Sequence, residues 1–312
     1  MKKILLIIPY FGEWPPWFDA HMVSIKNNPS IDWLCPTDCA VPKNHPENIK
    51  FLKIDLKTLN KKVNRVVDCD VPLIPRKFCE LKPAYAHIFS KEVEGYDFWG
   101  FCDMDIIWGD IRNFMNTDIL SKYDIISSRK EAISGHFSLF KNSNKLNTLY
   151  RKIPNYQALF EHPKLQRTDE KVFTKSLKEN SEFKLLSLKI CWNSILCNQE
   201  HGIDSHQEYY LDKWRWQEGK LINNITQEEV MYLHFINWKR TMRYSEVCYK
   251  DDPQRFYISF NGMHYQLHTS AQKMWRNFAN VFYGYYMKEK RRKQKLKFKS
   301  LLKRVKRKLN NT

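Results

Sequence analysis

Two aspartates one residue apart, Asp103 and Asp105, stand where an apolar strand should be ending. The stretch before them, Phe98-Trp-Gly-Phe-Cys102, is apolar and aromatic, the pattern of a buried strand. Alternation along an extended chain puts both carboxylates on the same side. Like charges held together call for a cation between them. A hard divalent ion that prefers oxygen ligands, Mg²⁺ or Mn²⁺, suits the pair. The alternative is an Asp-rich turn that closes the strand and caps the next element. The second apolar step, Ile106-Ile-Trp108, favours the ion, because it frames the pair between two extended runs.

Such a pair needs a sheet to hold it. Lys3–Pro9 reads as a short apolar strand running into a Pro-Tyr-Phe-Gly loop, which Trp14-Pro-Pro-Trp17 stiffens. Further strands are expected at Ile31–Cys35, Asn48–Ile54, Tyr123–Ser127, Phe137–Phe140 and Val230–Phe235. Helices are expected over 18–27, 110–121 and 78–93, the last with Phe78, Leu81, Tyr85, Ile88 and Phe89 on one face. Residues 145 to 230 read as mostly helical and polar. Strands alternating with helices in the first half mean an α/β sandwich. In such sheets ligands bind beyond the carboxyl ends of the strands. Tyr10 with Gly12, Thr37 with Asp38, and Asp103 with Asp105 occupy three such ends, which converge on one rim.

The 312 residues can bury a substantial core, and the 14% aromatic content with 10 Trp fits a packed protein that also stacks on sugar rings or bases. Eight cysteines, without Cys-x-x-Cys pairs, read as free thiols in a reducing compartment and argue against a zinc site. The opening Met1-Lys-Lys-Ile-Leu-Leu-Ile-Ile-Pro-Tyr is too short in its apolar run for a signal peptide, and no stretch reaches the length of a membrane span. A cytoplasmic chain is expected. The net charge of +18 is uneven: residues 288–308 hold 13 Lys/Arg against one Glu, leaving +6 for 1–287. In that tail Leu296, Phe298, Leu301, Leu302, Val305 and Leu309 recur at helical spacing. A basic amphipathic helix suits an anionic membrane surface. A solvated terminus and a nucleic-acid contact are the other readings. Nucleic acid is disfavoured, since the basic residues are not spread with the aromatics over the body.

The 96–105 block, Tyr96-Asp-Phe-Trp-Gly-Phe-Cys-Asp-Met-Asp105, resembles the Asp-x-Asp strand of GT-A glycosyltransferases. Within that fold the chain resembles a bacterial glycosyltransferase-like family linked to surface-polysaccharide synthesis. Ile8-Pro-Tyr-Phe-Gly12, Thr37-Asp38, Lys77-Phe-Cys-Glu-Leu-Lys-Pro-Ala-Tyr85, Gly135-His-Phe-Ser-Leu-Phe140, Thr168-Asp-Glu170 and Leu233-His-Phe235 with Lys239 match in order. The likeness covers roughly 3–245. It implies a GT-A-like mixed sheet flanked by helices, with a helical acceptor-side region and a basic C-terminal helix. The organisation it implies is a catalytic domain over 1–245, its nucleotide-sugar half about 1–130 and its acceptor half about 131–245. A helical, aromatic extension over 246–287 and the basic tail 288–312 would come after it.

Carried over residue by residue, the resemblance implies that Asp103, Asp105 and His234 hold Mn²⁺ or Mg²⁺. The ion would neutralise charge on a departing nucleoside diphosphate. Tyr10, Gly12, Thr37 and Asp38 would surround the nucleoside, and Lys82 and Lys239 would face the diphosphate. Gly135, His136 and Phe137 would wall the donor sugar and acceptor. Asp169 and Glu170 would be the acidic pair at the reacting sugar. One would take the acceptor proton in an inverting enzyme, or position the sugar in a retaining one. Thr-Asp-Glu is equally a helix start, with Thr168 or Asp169 as cap. The implied activity is transfer of a sugar from a nucleotide-sugar donor to a glycan or lipid-linked acceptor in capsule, O-antigen or lipopolysaccharide synthesis. The enzyme would sit peripherally on the inner face of the membrane. The alternative is a non-catalytic nucleotide-sugar or glycan-binding protein of the same fold.

Overall fold

Alternation decides which residues of the first strand face which layer. In β1 (Ile4–Ile7), Leu5 and Ile7 enter one core and Ile4 and Leu6 the other, so the strand is buried on both faces. The computed structural model describes residues 1–312 except 193–195, 199–209, 236–237, 283–286, 288–289, 293, 299–300 and 303–312. Of the tail residues read above as apolar, Val305 and Leu309 lie outside the described residues.

Parallel to β1 on one side lie β2 (Ile31–Thr37) and then β3 (Ile49–Lys53), and on the other β4 (Phe98–Cys102). The chain continues through β5 (Ile106–Trp108), outside this sheet, to β6 (Ile125–Ser127) and β7 (Phe137–Lys141). β7 runs antiparallel to both β4 and β6, and the short β8 (Ile190–Cys191) extends the edge parallel to β6. The fold is thus the expected mixed α/β sheet, parallel through its first four strands and flanked by helices. Helix Leu56–Val67 packs Leu59, Val63 and Val67 onto one face. Helix Phe18–Lys26 packs Phe18, Met22 and Ile25 onto the other.

The stretch expected as one helix over 78–93 is tighter and shorter. Pro75–Ala84 is 3₁₀-helical and only Tyr85–Ile88 is α-helical. Pro83 supplies no N–H to an α-helical ladder, which favours short-range bonding before it.

A second sheet takes in the end of the stretch 145–230, which read as polar and helical, together with strands beyond it. It comprises β9 (Trp214–Gln217), β10 (Lys220–Asn223), β11 (Glu229–Val230), β13 (Tyr244–Ser245), β14 (Arg255–Ser259) and β15 (Gly262–His264), while β12 (Tyr232–His234) pairs instead with β5. Helices do fill the first part of that region, up to Lys184. The hairpin β9–β10 turns on Glu218 and Gly219, both with positive φ, a two-residue turn that matches strand twist. Trp214 and Trp216 point into a third core with Leu221, Phe256 and Ile258. Residues 246–287 therefore contain two strands as well as helix Ser270–Phe282.

Candidate active site at the ends of the strands

Asp103 and Asp105 come directly after β4, and their imidazole neighbour arrives from far along the chain. β12 is antiparallel to β5 with His234 opposite Ile106, and the Phe235 N–H donates to the Asp105 carbonyl at 2.9 Å. That register brings His234 Nε2 to 3.1 Å from Asp105 Oδ2 and 3.9 Å from Asp103 Oδ2. Asp105 and His234 are buried, and Asp103 is partly open. Two lysines close the cluster. Lys82 Nζ lies 2.6 Å from Asp103 Oδ1, and Lys239 Nζ 2.7 Å from Asp105 Oδ2.

Burial alone would raise the Asp105 carboxyl, but His234 and Lys239 overrule it and hold the group well below the ordinary carboxylate range. Burial alone would lower the Lys82 ammonium, yet Asp103 beside it drives it well above its ordinary value. Lys239 is raised in the same way, chiefly by Asp105. The arrangement is a buried network of opposite charges at the rim of the sheet.

One oxygen of each aspartate and one nitrogen of His234 lie within 4.8 Å of one another, so three donors already converge as a metal would require. Two carboxylates and an imidazole suit Mn²⁺, and suit Mg²⁺ less well. The residues fit the ion. The ammonium groups of Lys82 and Lys239 supply part of the charge compensation a dication would provide.

Two clefts meet at this cluster. The first, about 350 Å³, lies between the loop after β1 (Tyr10, Phe11) and the 3₁₀ stretch (Phe78, Cys79, Lys82), with Asp103 and Asp105 at its base. The second, about 610 Å³, is lined by Asp103, Gly135, His136, Asp169, Glu170 and His234. Lys82 and Lys239 line both.

The Tyr10 loop is built by its own aromatics. Tyr10 stacks on Trp14 with ring centroids 5.5 Å apart, and Trp14 on Phe18 at 4.1 Å. Trp14 Nε1 donates to the Ala40 carbonyl. Gly12 adopts a φ of +103°, open to glycine, and its N–H donates to Asp38 Oδ1 at 2.8 Å. Thr37 is fully buried, and its hydroxyl accepts the Cys39 N–H. Gly12, Thr37 and Asp38 therefore shape the loop from behind, and Tyr10 is the member of that group on the first cleft.

In the second cleft, the bend that leads into β7 splits the expected wall. The His136 ring stacks on His234 at 4.2 Å, and its Nδ1 lies 2.7 Å from the Tyr232 hydroxyl. Phe137 departs from the expectation: its side chain turns the other way, into the core against Trp108 and Tyr232. Gly135 is held from two sides, its carbonyl by Lys82 Nζ at 2.5 Å and its N–H by Glu170 Oε1 at 3.1 Å. A Cβ there would meet Glu170 Oε1 at 2.8 Å and Asp169 Oδ2 at 3.1 Å, so the acidic side chains sit closer to Gly135 than a methyl would allow without their shifting.

Asp169 and Glu170 sit on a single π-helical turn, Thr168–Val172, whose own N-cap residue offers it no side-chain hydrogen bond. Arg167, with a φ of +59°, precedes the turn in place of the Thr168 or Asp169 cap that the sequence also allowed. Glu80 holds the entry to the turn instead, its Oε1 accepting the N–H groups of Gln166 and Arg167 just before it and of Thr168, its first residue. Lys77, fully buried, pairs with Glu80 at 2.5 Å and donates to the Leu159 carbonyl. Burial pushes the Asp169 carboxyl up to about 7; Lys82 opposes this and Glu170 adds to it. The Lys77–Glu80 clamp is absent from the sequence reading. Its signal was a Lys and Glu three apart on the same 3₁₀ stretch as Lys82.

A second Asp–His cluster, Asp212 with His264 and His268, lies on the other sheet. Lys273 Nζ sits 2.9 Å from Asp212 Oδ2, an ion pair like that of Lys239 with Asp105.

No curated protein matches the chain. Among solved structures it is similar to the galactosyltransferase LgtC in complex with donor and acceptor sugar analogues, at 9% identity over 52% of this chain and 68% of that one, with a TM-score of 0.31. It is also similar to mouse xyloside xylosyltransferase 1 in its apo form, at 14% identity over 74% and 97%, with a TM-score of 0.36. The apo-form glycosyltransferase GlyE of Streptococcus pneumoniae TIGR4 aligns at 11% identity over 61% and 45%, with a TM-score of 0.33. A family model matches residues 6–267, most of the chain, and by that match the protein belongs to the family of unknown function DUF6625.

Proposed function

We propose that this chain is a metal-dependent glycosyltransferase that moves a sugar from a nucleotide-sugar donor to a glycan or lipid-linked acceptor. The observation that carries the reading is the convergence of Asp103, Asp105 and His234 at the junction of an aromatic-lined cleft and a polar cleft. One cleft suits a nucleoside and the other a pair of sugars. The charged cluster between them stands where a diphosphate would lie. Asp103, Asp105 and His234 would hold Mn²⁺ or Mg²⁺. When bound, such an ion supplies Lewis-acid stabilisation of a departing diphosphate.

The chain's own residues supply the rest. Tyr10 offers a ring face to a base. Lys82 and Lys239 bring two ammoniums to the phosphates, fixed in place by the carboxylates they already touch. Asp169, titrating near neutrality, is matched to accept a proton from an acceptor hydroxyl or to stand beside a sugar cation. His136, Gly135 and Glu170 shape the space in which the acceptor lies. A hexose as the sugar, a surface polysaccharide as the pathway, and a station on the inner membrane face through residues 288–312 complete the reading.

The test is binding of UDP, GDP, CMP and dTDP to the purified protein with and without Mn²⁺, beside Asp105→Ala. Metal-dependent binding of one nucleotide, lost in the variant, supports the reading and names the donor class. Binding without turnover of the matching nucleotide sugar on any glycan acceptor points to the non-catalytic alternative. A folded protein that binds none of the four overturns the transferase reading and leaves the non-catalytic glycan-binding one.

A further inference from the structure

Helix Ser270–Phe282 is mounted with its polar side inward. Lys273 reaches Asp212 Oδ2 at 2.9 Å, and the Arg276 guanidinium lies over the Phe260 ring at 5.8 Å. His268, just before the helix, donates its N–H to Asp212 Oδ2 and sets Nδ1 2.7 Å from Oδ1. With 100° per residue, Lys273, Arg276 and Asn277 share one face and Met274, Trp275, Phe278 and Phe282 share the opposite one. That apolar face is exposed: Met274 73%, Trp275 70%, Phe278 51% and Phe282 52%. Its rings touch along the stripe, Trp275 stacked on Phe278 at 6.1 Å and Phe278 tilted against Phe282 at 4.7 Å. An amphipathic helix on a globular core ordinarily buries this side, so a contiguous aromatic face turned outward marks a docking surface.

The next stretch of chain identifies what docks. Residues 288–308 carry 13 Lys/Arg and one Glu. Residues 290–292, 294–298 and 301–302 are helical, and Leu296, Phe298, Leu301 and Leu302 are exposed among them. An outward aromatic stripe continued by a basic, leucine-bearing segment complements a surface that is apolar beneath and anionic on top. We propose that the outer face of helix Ser270–Phe282 inserts into the headgroup boundary of an anionic lipid bilayer. Trp275, Phe278 and Phe282 supply the insertion and the basic segment after them the electrostatic attraction. In this arrangement the Asp212 cluster is the clasp that fixes the orientation of the inserting helix against the second sheet. The proposal does not depend on the transfer chemistry.

The test is sedimentation of the full chain with vesicles of phosphatidylcholine alone and of phosphatidylcholine with phosphatidylglycerol, at low and high salt. Wild type is expected to bind the anionic vesicles in a salt-sensitive way. Trp275→Ser with Phe278→Ser should weaken that binding by about tenfold or more, with circular dichroism, melting temperature and nucleotide binding unchanged. Met274→Glu, on the same face, gives a second reading should the paired change affect folding. Equal vesicle binding by variant and wild type, or none by wild type, overturns the proposal. So does a wild-type dimer in solution that the paired variant abolishes, which would assign the face to a second copy. Nucleotide binding, read on the same samples, keeps this outcome separate from that of the donor site.

Discussion

Glu80 reaches across the fold to accept the backbone N–H of Arg167, the residue that starts the turn bearing Asp169 and Glu170. The acidic pair is thus held from a side chain on another element, and that side chain is itself held by buried Lys77.

This gives the first prediction. Lys77→Met leaves Glu80 charged and buried without its ammonium, and stability should fall by about 3–5 kcal/mol. Glu80→Gln keeps a shape able to accept, but loses the charge that makes the backbone bonds strong. Transfer by Glu80→Gln should drop mainly in kcat, with nucleotide binding within a few-fold of wild type. Denaturant titration and steady-state kinetics check the two halves. A Glu80→Gln protein that loses nucleotide binding together with turnover would mean the clamp supports the whole rim.

A second prediction concerns Asp169. Its carboxyl titrates near 7 in the folded protein against an ordinary value of 3.8, so the folded state holds the proton more tightly than the unfolded chain. Stability from this group is then fully present at low pH and is lost as pH rises from about 4 to about 7. Asp169→Asn should therefore be more stable than wild type at pH 8, by ~1–2 kcal/mol once partial exposure is allowed for, and equal to it below pH 4. It should also lose transfer activity. Melting curves at the two pH values, recorded without metal, decide the sign.

How much of this was legible depends on distance along the chain. The Asp103–Asp105 pair and the strands that carry it are local patterns, and they stand where the sequence put them. His234 could be named only through resemblance; nothing in Val230–Phe235 itself announces that β12 will pair with β5. The second sheet was missed because its strands are short and polar on one face, although Trp214-Arg-Trp216 alternates and Glu218-Gly219 is a hairpin turn. Gly135, His136 and Phe137 read as one wall, but β7 begins at Phe137, whose side chain enters the core while His136 in the bend before it faces the cleft. The i, i+3 spacing of Lys77 and Glu80 is visible in the sequence, but their burial and the reach of Glu80 to the Asp169 turn depend on tertiary packing.

Metal binding should be visible as stabilisation. An ion that binds only the folded chain adds about 2.7 kcal/mol at a hundred times its dissociation constant. Mn²⁺ should raise the melting temperature of the wild type, and a chelator should restore the starting value. Asp103→Asn with Asp105→Asn should show no response. A response retained in full by that variant would place the ion elsewhere, with Asp212, His264 and His268 the next cluster to remove.

Gly135 offers a steric test of the same site. Gly135→Ala puts a methyl into contact with both Glu170 and Asp169, so the acidic pair must shift by some tenths of an ångström. Because the first cleft does not include Gly135, nucleotide binding should persist while turnover falls by at least tenfold. Unchanged turnover would show that the acidic pair is not held to a demanding geometry.

The last prediction concerns how β5 is fixed beneath the carboxylates. His21, on helix Phe18–Lys26, is fully buried and donates Nδ1–H to the Ile106 carbonyl at 2.6 Å, while its Nε2 has no hydrogen bond among the described residues. Burial lowers its titration to about 4 from an ordinary 6.5, so the folded chain holds the ring neutral. Between those two values the unfolded chain binds more protons than the folded one, and stability must rise with pH across that window. Acidification from pH 7 to pH 4 should remove on the order of 3 kcal/mol through this residue alone. His21→Asn places an amide N–H where Nδ1–H was and has nothing to titrate. Its melting temperature should trace a visibly flatter pH profile than that of the wild type between pH 6.5 and 4. Parallel profiles would mean that the acid sensitivity arises in other groups and that the ring is protonated without opening the helix–strand contact.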